Sequence, residues 1–202
     1  MATASRYKIR GPSTLALVAA AKAGDRAAFD ALIRRYRHGV YALCLDRTGN
    51  FDTAEDLTQE ALLQAHAQLH TLREPAAFPG WLRQIARNVC RMWQRRPLLG
   101  TVAVEPEAYP QLTQDVYREA LRREAAREVR AALAQLPENN RIAFLMHVQG
   151  SSYREIAEFI DAPETTVVGR LHRARSRLRT LLRERIRDAV AGETLPGKER
   201  GT

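Results

Sequence analysis

The sequence predicts an all-α protein made of two small helical domains joined by an extended linker. Three observations lead to this prediction. Apolar residues recur at the 3.6-residue spacing of amphipathic helices along most of the chain. β-branched residues are few and never alternate over the length of a strand. Between the two helical parts, residues 97–118 contain three prolines and a glycine, carry acidic residues, and show no helical period.

Composition narrows the range of partners. The chain has 202 residues and a formal net charge of +9, from 32 Lys and Arg against 23 Asp and Glu. Such an excess of positive charge favours a polyanionic partner, either nucleic acid or an anionic membrane surface. No run of apolar residues approaches the roughly 18 that a transmembrane helix needs, which predicts no membrane insertion. Residues 1–14 are predicted to be a disordered arm.

The first domain, residues 15–96, is predicted to hold four helices. A short helix over Leu15–Ala23 ends at a glycine, and Asp25 can cap the next helix. A third helix is expected to open within Asp52–Asp56. The core-facing stripe of the second helix comprises Phe29, Leu32, Ile33, Tyr36, Val40 and Leu43, and the seam of the third comprises Leu57, Ala61, Ala65 and Leu69.

A fourth helix is predicted to start at Trp81 and to carry arginines on its outer face. Like charges at i, i+4 weaken an isolated helix, so this stripe favours an anionic partner, although a solvated face remains the alternative. The preceding loop carries Phe78, and an aromatic loop beside a basic helix could stack unpaired bases. The stripe is Arg83, Arg87, Arg91 and Arg95, with Asn88, Gln94 and Arg96 beside it.

The second domain, residues 119–188, is predicted to end in a helix-turn-helix. A helix over 120–136 is followed by another from Leu136, with Ile142, Phe144, Leu145 and Val148 mostly inward. Ser152 and Glu155 form a capping box, and Pro163 separates two helices. The buried face of the last helix is Val167, Leu171, Ala174 and Leu178, and its other face carries Thr165, Thr166, Arg170, Arg173 and Arg177.

That last helix has the donors that a recognition helix needs in a major groove. An ordinary helical hairpin with a solvated basic face is the alternative. The third helix differs from the rest of this basic protein, because Asp56, Gln59, Glu60 and Leu63 form an exposed acidic and amide cluster. From the residues alone, complementarity with the positive helix N-terminus is the favoured interpretation of its acids.

Neither catalysis nor a cofactor is predicted. Cys44 and Cys90 lie far apart in sequence among apolar residues, which indicates buried free thiols in a reducing compartment. His66 and His70 have i, i+4 spacing but no third ligand, so no metal site is expected. The chain also lacks a phosphate-binding glycine loop and a nucleophile motif. We therefore predict a protein that is not an enzyme, with no catalytic residues.

In combination, several short motifs resemble the bacterial RNA polymerase sigma factors of the extracytoplasmic-function (ECF) type. The resemblance covers about residues 15–188. The motifs appear in the family's order: Asp56-Leu-Thr-Gln-Glu60, Phe78-Pro-Gly-Trp-Leu-Arg-Gln-Ile-Ala-Arg-Asn88 with Arg95-Arg96, Leu136-Pro137, Ser152-Tyr-Arg-Glu-Ile-Ala157, and Thr166-Val167 leading to Arg170-Leu-His-Arg-Ala-Arg175.

The resemblance implies a sigma-2 helical bundle at 15–96, a linker at 97–118 that threads the polymerase cleft, a sigma-4 helix-turn-helix domain at 119–188 and a tail at 189–202. It reverses the interpretation of the acidic cluster, which would bind core polymerase (β and β′ subunits) through Asp56, Gln59, Glu60 and Leu63. Residues implied to bind and open the −10 element are Phe78, Trp81, Arg83, Arg87, Asn88, Arg91, Gln94, Arg95 and Arg96. Those implied at the −35 element are Thr165, Thr166, Gly169, Arg170, Arg173 and Arg177.

Further implications concern partners and departures from the family pattern. An anti-sigma factor and a cytoplasmic, nucleoid-associated location are expected. Met92 stands where relatives commonly have Asp, and Val168-Gly169 stands where they commonly have Lys-Ser, so the −35 sequence cannot be copied from relatives. The rival hypothesis is a stand-alone regulator whose helix-turn-helix binds an operator. It leaves the arginine stripe and the acidic cluster without a role.

Overall fold

The computed structural model describes residues 12–95, 125 and 127–192, with side chains as far as residue 184. The linker at 97–118, the arm at 1–11, Arg96 and the tail from 193 lie outside the described residues. All regular structure in the described part is helical. The α-helices are α1 Thr14–Lys22, α2 Arg26–Thr48, α3 Phe51–Gln68, α4 Phe78–Arg95, α5 at 127–134, α6 Glu138–Val148, α7 Tyr153–Ile160 and α8 Glu164–Gly192.

Helix α2 is the centre of the molecule. It contacts α1, α3 and α4 of the first half and also α6 and α7 of the second. Its predicted stripe is confirmed at Leu32, Tyr36, Val40 and Leu43, all fully buried, while Phe29 and Ile33 are half-buried. Partners on several sides explain why Gly39, Ala42 and Cys44 of the same helix are buried as well.

Side-chain caps fix the ends of these helices. The predicted cap of α2 is confirmed, since the carboxylate of Asp25 accepts a hydrogen bond from the Ala28 amide at 3.1 Å. The predicted start of α3 is wrong. The helix begins at Phe51, because the Asn50 side chain accepts from the Thr53 amide at 2.9 Å and caps it earlier. Gly49, in the left-handed conformation at φ 62°, provides the sharp turn between α2 and α3.

The loop before α4 is shorter than predicted. After two 3₁₀ turns, Leu69–Thr71 and Pro75–Ala77, helix α4 begins at Phe78 rather than Trp81. Pro79 falls in its first turn, where the missing amide hydrogen is not needed. Phe78 is fully buried, with its ring 5.5 Å from that of Tyr36. This aromatic side chain therefore belongs to the core and not to the loop surface.

The second half contains the predicted helix-turn-helix. The Ser152 and Glu155 capping box begins α7, and α8 buries Val167, Leu171, Ala174 and Leu178 as expected. Between the two helices, Asp161 adopts a left-handed conformation at φ 53°. The prediction for Val148 is wrong: it is 67% exposed, and Ala143 and Met146 fill the inward face of α6 beside Ile142.

The two halves pack directly against each other. The larger of two apolar clusters in the described residues runs from α1–α4 into α6, α7 and the start of α8. At its centre the ring of Phe159, fully buried, lies on the bare backbone of Gly39. A Cβ atom on Gly39 would lie only 2.6 Å from Cδ2 and Cγ of that ring. Glycine is therefore required here by the close approach of α7 to α2.

Polar contacts surround this interface. The carboxylate of Glu158 accepts hydrogen bonds from Tyr36 Oη at 2.8 Å and from Thr14 Oγ1 at 3.1 Å. Arg141 pairs with Asp46, whose side chain is 2% exposed. Its Nη1 also donates to the carbonyl of Leu136 at 2.7 Å, and to those of Leu133 and Ala134 at the end of α5. Arg141 thus joins α5 and α6 to α2 and satisfies carbonyls that a helix end leaves free.

The two cysteines are both buried and free, as predicted. Their sulfur atoms lie 3.7 Å apart, between α2 and α4. The hydrogen bond to Cys90 and, after it, burial raise the pKa of the Cys44 thiol. None of the helices within 12–95 and 127–192 has the length and hydropathy needed to cross a bilayer.

Candidate nucleic-acid interface

The arginine stripe of α4 is divided by the packing of the two halves. Arg83 and Arg87 are half-buried against the second half of the chain, and the Nε atom of each is buried without a hydrogen-bond partner. Arg87 pairs with Glu138 at 3.3 Å. Burial lowers the pKa of Arg83, while the nearby carboxylate of Asp161 acts in the opposite direction. These two guanidinium groups already face carboxylates.

The C-terminal part of the same helix is open. Asn88, Arg91, Gln94 and Arg95 are all exposed. Asn88 Oδ1 accepts hydrogen bonds from Gln84 Nε2 at 3.1 Å and from Arg91, which holds both side chains along the helix surface. This segment presents two positive charges and two amides to solvent, the groups that contact phosphates and base edges.

The aromatic part of the predicted −10 surface is smaller than expected. Phe78 is buried and cannot stack on a base in this structure, so the prediction for its side chain is wrong. Trp81 is half-buried, with its ring 5.7 Å from that of Phe78. It lines a cleft of about 880 Å³ between the segment at 71–80, which includes the first turn of α4, and α7, together with Arg154, Glu158 and Asp161. Trp81 is thus the accessible ring of the pair.

The acidic cluster of α3 lies on the opposite side from the α3 seam, as predicted. Asp56 and Gln59 are exposed, Leu63 is 72% exposed, and Glu60 is half-buried and accepts a hydrogen bond from Gln64 at 3.2 Å. The sequence reasoning missed an adjacent groove of about 490 Å³, in which Gln59 and Leu63 meet apolar residues of α2 and α3. Those residues are Phe29, Ile33 and Leu62. Arg26, Asp30 and His66 complete its lining. An apolar groove beside an exposed acidic cluster is suited to a protein partner.

The face of α8 predicted to contact duplex DNA is accessible. Thr165, Arg173 and Arg177 are exposed, while Thr166, Gly169 and Arg170 are half-buried. Arg170 differs from the others because its Nη1 is buried with no hydrogen-bond partner. Val168, which departs from the family pattern, is also exposed on this helix. The predicted contact set did not include His172, which is exposed as well. The signal was present, since His172 lies outside the Val167, Leu171 and Ala174 stripe.

The geometry therefore separates three surfaces: the open end of α4, the acidic cluster of α3 with the apolar groove beside it, and the outer face of α8. Within the described residues, no group of His, Cys, Asp and Glu side chains could hold a metal ion. His66 packs edge-on against Phe29, with ring centroids 4.7 Å apart, and His70 is exposed.

Family comparisons match this division of the chain. The model for sigma-70 region 2 matches residues 32–97, and the model for sigma-70 region 4 matches residues 126–178. The ECF RNA polymerase sigma factor SigM of Mycobacterium tuberculosis is 35% identical over 171 residues, which cover 84% of this chain and 85% of SigM. The chain belongs to the ECF family of RNA polymerase sigma factors.

A longer relative and a solved structure are also similar to this chain. The protein named "Probable RNA polymerase sigma factor RfaY" of Xanthomonas campestris pv. campestris is 32% identical over 88% of this chain, but the match spans only 46% of that longer protein. The solved structure of CnrH in complex with the cytosolic domain of CnrY has a TM-score of 0.51 and 24% identity, covering 85% of this chain and 97% of CnrH. This likeness concerns the fold. As an ECF sigma factor, the protein directs RNA polymerase to promoters, which is a recognition role.

Proposed function

We propose that the two halves of this sigma factor contact different parts of the promoter and the polymerase. Residues 15–96 would bind core polymerase and the −10 element, and residues 119–188 would bind the −35 element. The observation that carries this division is the presence of two separate basic helical faces, one on α4 and one on α8. The linker at 97–118 would thread the polymerase cleft between them, where its acidic residues suit the path of a nucleic acid.

The α3 surface is our candidate for core polymerase. Phosphates repel acidic side chains, so Asp56 and Glu60 are poorly suited to DNA, whereas they suit a basic protein surface. Leu63 and Gln59 beside the apolar groove add contact area that a polymerase helix could cover. We assign this surface to the β and β′ subunits, with Asp56, Gln59, Glu60 and Leu63 as the contacts.

The α4 surface is our candidate for the −10 element. Trp81 would stack an unpaired base, and Asn88, Arg91, Gln94 and Arg95 would hold the backbone and base edges of the opened strand. Flipping a base out of the stack costs a few kcal/mol, which such contacts can offset. Arg96 belongs to the same proposal by its sequence position. Phe78 would support the ring of Trp81 from below instead of touching DNA.

Arg83 and Arg87 can join this surface only after a rearrangement. In the packed arrangement Asp161 and Glu138 lie next to them, and these carboxylates would repel an approaching phosphate. We therefore infer that the second half moves away from α4 when the −10 element binds. Such a movement also suits the separate placement of the two halves on a promoter.

The α8 face would lie in the major groove of the −35 element. Arg173 and Arg177 are exposed, and Arg is suited to bidentate contacts with guanine, worth about 1–3 kcal/mol each. Thr165 and Thr166 at the start of the helix, with Gly169 and Arg170, complete the proposed contact set. We further infer a cytoplasmic, nucleoid-associated location, regulation by an anti-sigma factor, and no catalytic step performed by the protein itself.

Run-off transcription with purified core polymerase and a promoter library tests the function. Transcripts from specific promoters should require this protein, and their absence would refute the proposal. To test the surfaces, Asp56→Ala with Glu60→Ala should weaken core binding and spare binding to a −35 duplex. The control Glu184→Ala removes an exposed carboxylate from α8 and should leave core binding intact. Equal loss of core and duplex binding in the double variant would contradict the assignment.

The α4 surface has its own test. Arg91→Ala with Arg95→Ala should reduce open-complex formation, measured by permanganate reactivity of −10 thymines, while core binding persists. Arg34→Ala removes an exposed arginine from α2 and serves as the matched control. If the control reduces strand opening as much as the double variant, general charge and not the α4 surface explains the effect.

A further inference from the structure

An apolar side chain lies on the outer face of the proposed recognition helix. Val168 is 50% exposed, although its neighbour Val167 is fully buried. The rotation of α8 is fixed by Val167, Leu171 and Ala174, which are buried at the helical spacing. Val168 cannot turn inward without exposing that stripe. Its position on the surface is therefore a property of the packed helix.

The side chains around Val168 are polar or absent. Thr165 lies one turn earlier and His172 one turn later, and both are exposed. Gly169 follows directly and has no side chain. The guanidinium nitrogens of Arg173 lie 3.6 and 3.7 Å from the position that a Cβ on Gly169 would occupy. The outer face of α8 thus presents bare backbone, an arginine above it, and one isolated apolar group.

Valine gains little at such a position from folding alone. It is a weaker helix former than alanine or lysine, and half of its surface remains in contact with water. Contact with a partner would bury that surface. In the major groove, the apolar group that a base pair offers is the C5-methyl of thymine, whereas the other edges present hydrogen-bond donors and acceptors.

We propose that Val168 recognises a thymine of the −35 element by packing against its C5-methyl group. This inference rests on the proposed function, since it requires α8 to lie in the major groove. Gly169 contributes by letting the backbone of α8 approach the base edges, so that the short valine side chain reaches the methyl group. Val168 then selects a base pair by shape, while Arg173 beside it supplies hydrogen bonds or a phosphate contact.

Thymine-to-deoxyuridine substitution isolates the contact. Deoxyuridine keeps the pairing and the groove acceptor of thymine and lacks only the C5-methyl group. The −35 element is first selected by run-off transcription from a promoter library. Each thymine in it is then replaced singly, and the apparent affinity of the holoenzyme is measured in run-off reactions at limiting enzyme. Full-length protein is used for the wild type and for each variant.

We expect deoxyuridine at one position to lower the apparent promoter affinity of the wild-type holoenzyme about fourfold, which is the factor for losing the contact of one methyl group. Val168→Ala should lose this sensitivity at that position and keep the wild-type response elsewhere. The variant should fold, because alanine is the better helix former. Val148→Ala is the matched control: Val148 is 67% exposed on α6, outside the proposed interface, and its variant should retain the full sensitivity.

Gly169→Ala tests the close approach separately. The added Cβ would meet only the guanidinium group of Arg173, at ordinary contact distance, so folding should be unaffected. The affinity for every −35 sequence should fall, because the helix would be held further from the bases. Unchanged affinity would contradict the role given to Gly169.

The outcomes distinguish this inference from the proposed function. If no promoter-specific transcription depends on the protein, the proposed function fails. If transcription is promoter-specific, the inference on Val168 is overturned by a −35 element without thymine, by insensitivity of the wild type to every substitution, or by equal sensitivity of Val168→Ala and wild type.

Discussion

Replacing Gly39 by alanine should separate the two halves of the protein. Helices normally gain about 1 kcal/mol from this substitution, so a loss of stability would be diagnostic. The new Cβ would lie 2.6 Å from Cδ2 and Cγ of Phe159 and 2.8 Å from Cδ1. Carbon atoms in contact sit about 3.5–4.0 Å apart, and the ring must therefore retreat by about 1 Å.

The surrounding packing opposes this retreat of the ring. Phe159 is fully buried, and α7 is also attached through Glu158 to Tyr36 and Thr14. Overpacking costs about 1–3 kcal/mol, and contact with three ring atoms places this case near the upper value. After subtracting the gain in helix propensity, we expect Gly39→Ala to destabilise docking by about 2 kcal/mol, or roughly 30-fold in the docking equilibrium.

Two measurements check this value. Urea denaturation gives the change in the free energy of unfolding, and small-angle X-ray scattering should show a larger radius of gyration. Phe159→Leu keeps an apolar side chain but removes the ring, so in that background Gly39→Ala should become neutral or stabilising. Gly80→Ala is the control, because its Cβ would lie 3.6 Å from the nearest atom, Arg83 Nη2. An equal effect of Gly39→Ala in both backgrounds would refute the reasoning.

Three further predictions concern docking, capping and thiol chemistry. Burial raises the pKa of Glu158, but hydrogen bonds from Tyr36, Arg154 and Thr14 outweigh it, and the pKa lies below its ordinary value of 4.5. Because the pKa is lowered in the folded protein, ionised Glu158 stabilises the fold at pH values above 4.5, and this stabilisation is lost as the pH falls through the folded pKa. The radius of gyration should therefore rise on acidification below about pH 4.5. Glu158→Gln should abolish the part of this acid-induced expansion that Glu158 causes. An identical expansion in variant and wild type would refute the role of Glu158. Ser152→Ala removes the cap of α7 and should cost about 1 kcal/mol in urea denaturation, whereas a change below about 0.3 kcal/mol would speak against the capping box. Cys44 and Cys90 should react with a thiol reagent only as fast as the native protein opens, because both are buried; rapid labelling without denaturant would contradict this.

Local physics explains which features could be predicted from the sequence. The Asp25 cap, the Ser152 and Glu155 capping box and the α8 stripe all depend on residues within a few positions of each other. Helical periodicity and capping are properties of short segments, so they are visible without knowledge of the fold. The start of α3 was missed because the capping residue was sought within Asp52–Asp56, whereas the Asn50 side chain caps the helix.

The candidate surfaces were predicted only in part, for a different reason. An apolar or charged helix face can be recognised from the spacing of its residues. Whether another part of the chain buries that face depends on residues far away in sequence. Phe78 was expected to stand on a loop surface, and Tyr36 encloses it in the core. Arg83 and Arg87 belong to the same stripe as Arg91, yet the second half of the chain covers only the first two.

The sequence by itself determined the all-α class, the helix-turn-helix, the basic faces and the family. These follow from composition, local propensity and motif order, which are all contained in short stretches of chain. The tertiary structure alone decided how the halves meet, through Gly39 against Phe159 and Glu158 against Tyr36. Such contacts join residues more than 100 positions apart, and each depends on shape complementarity that has no periodic signature in the sequence.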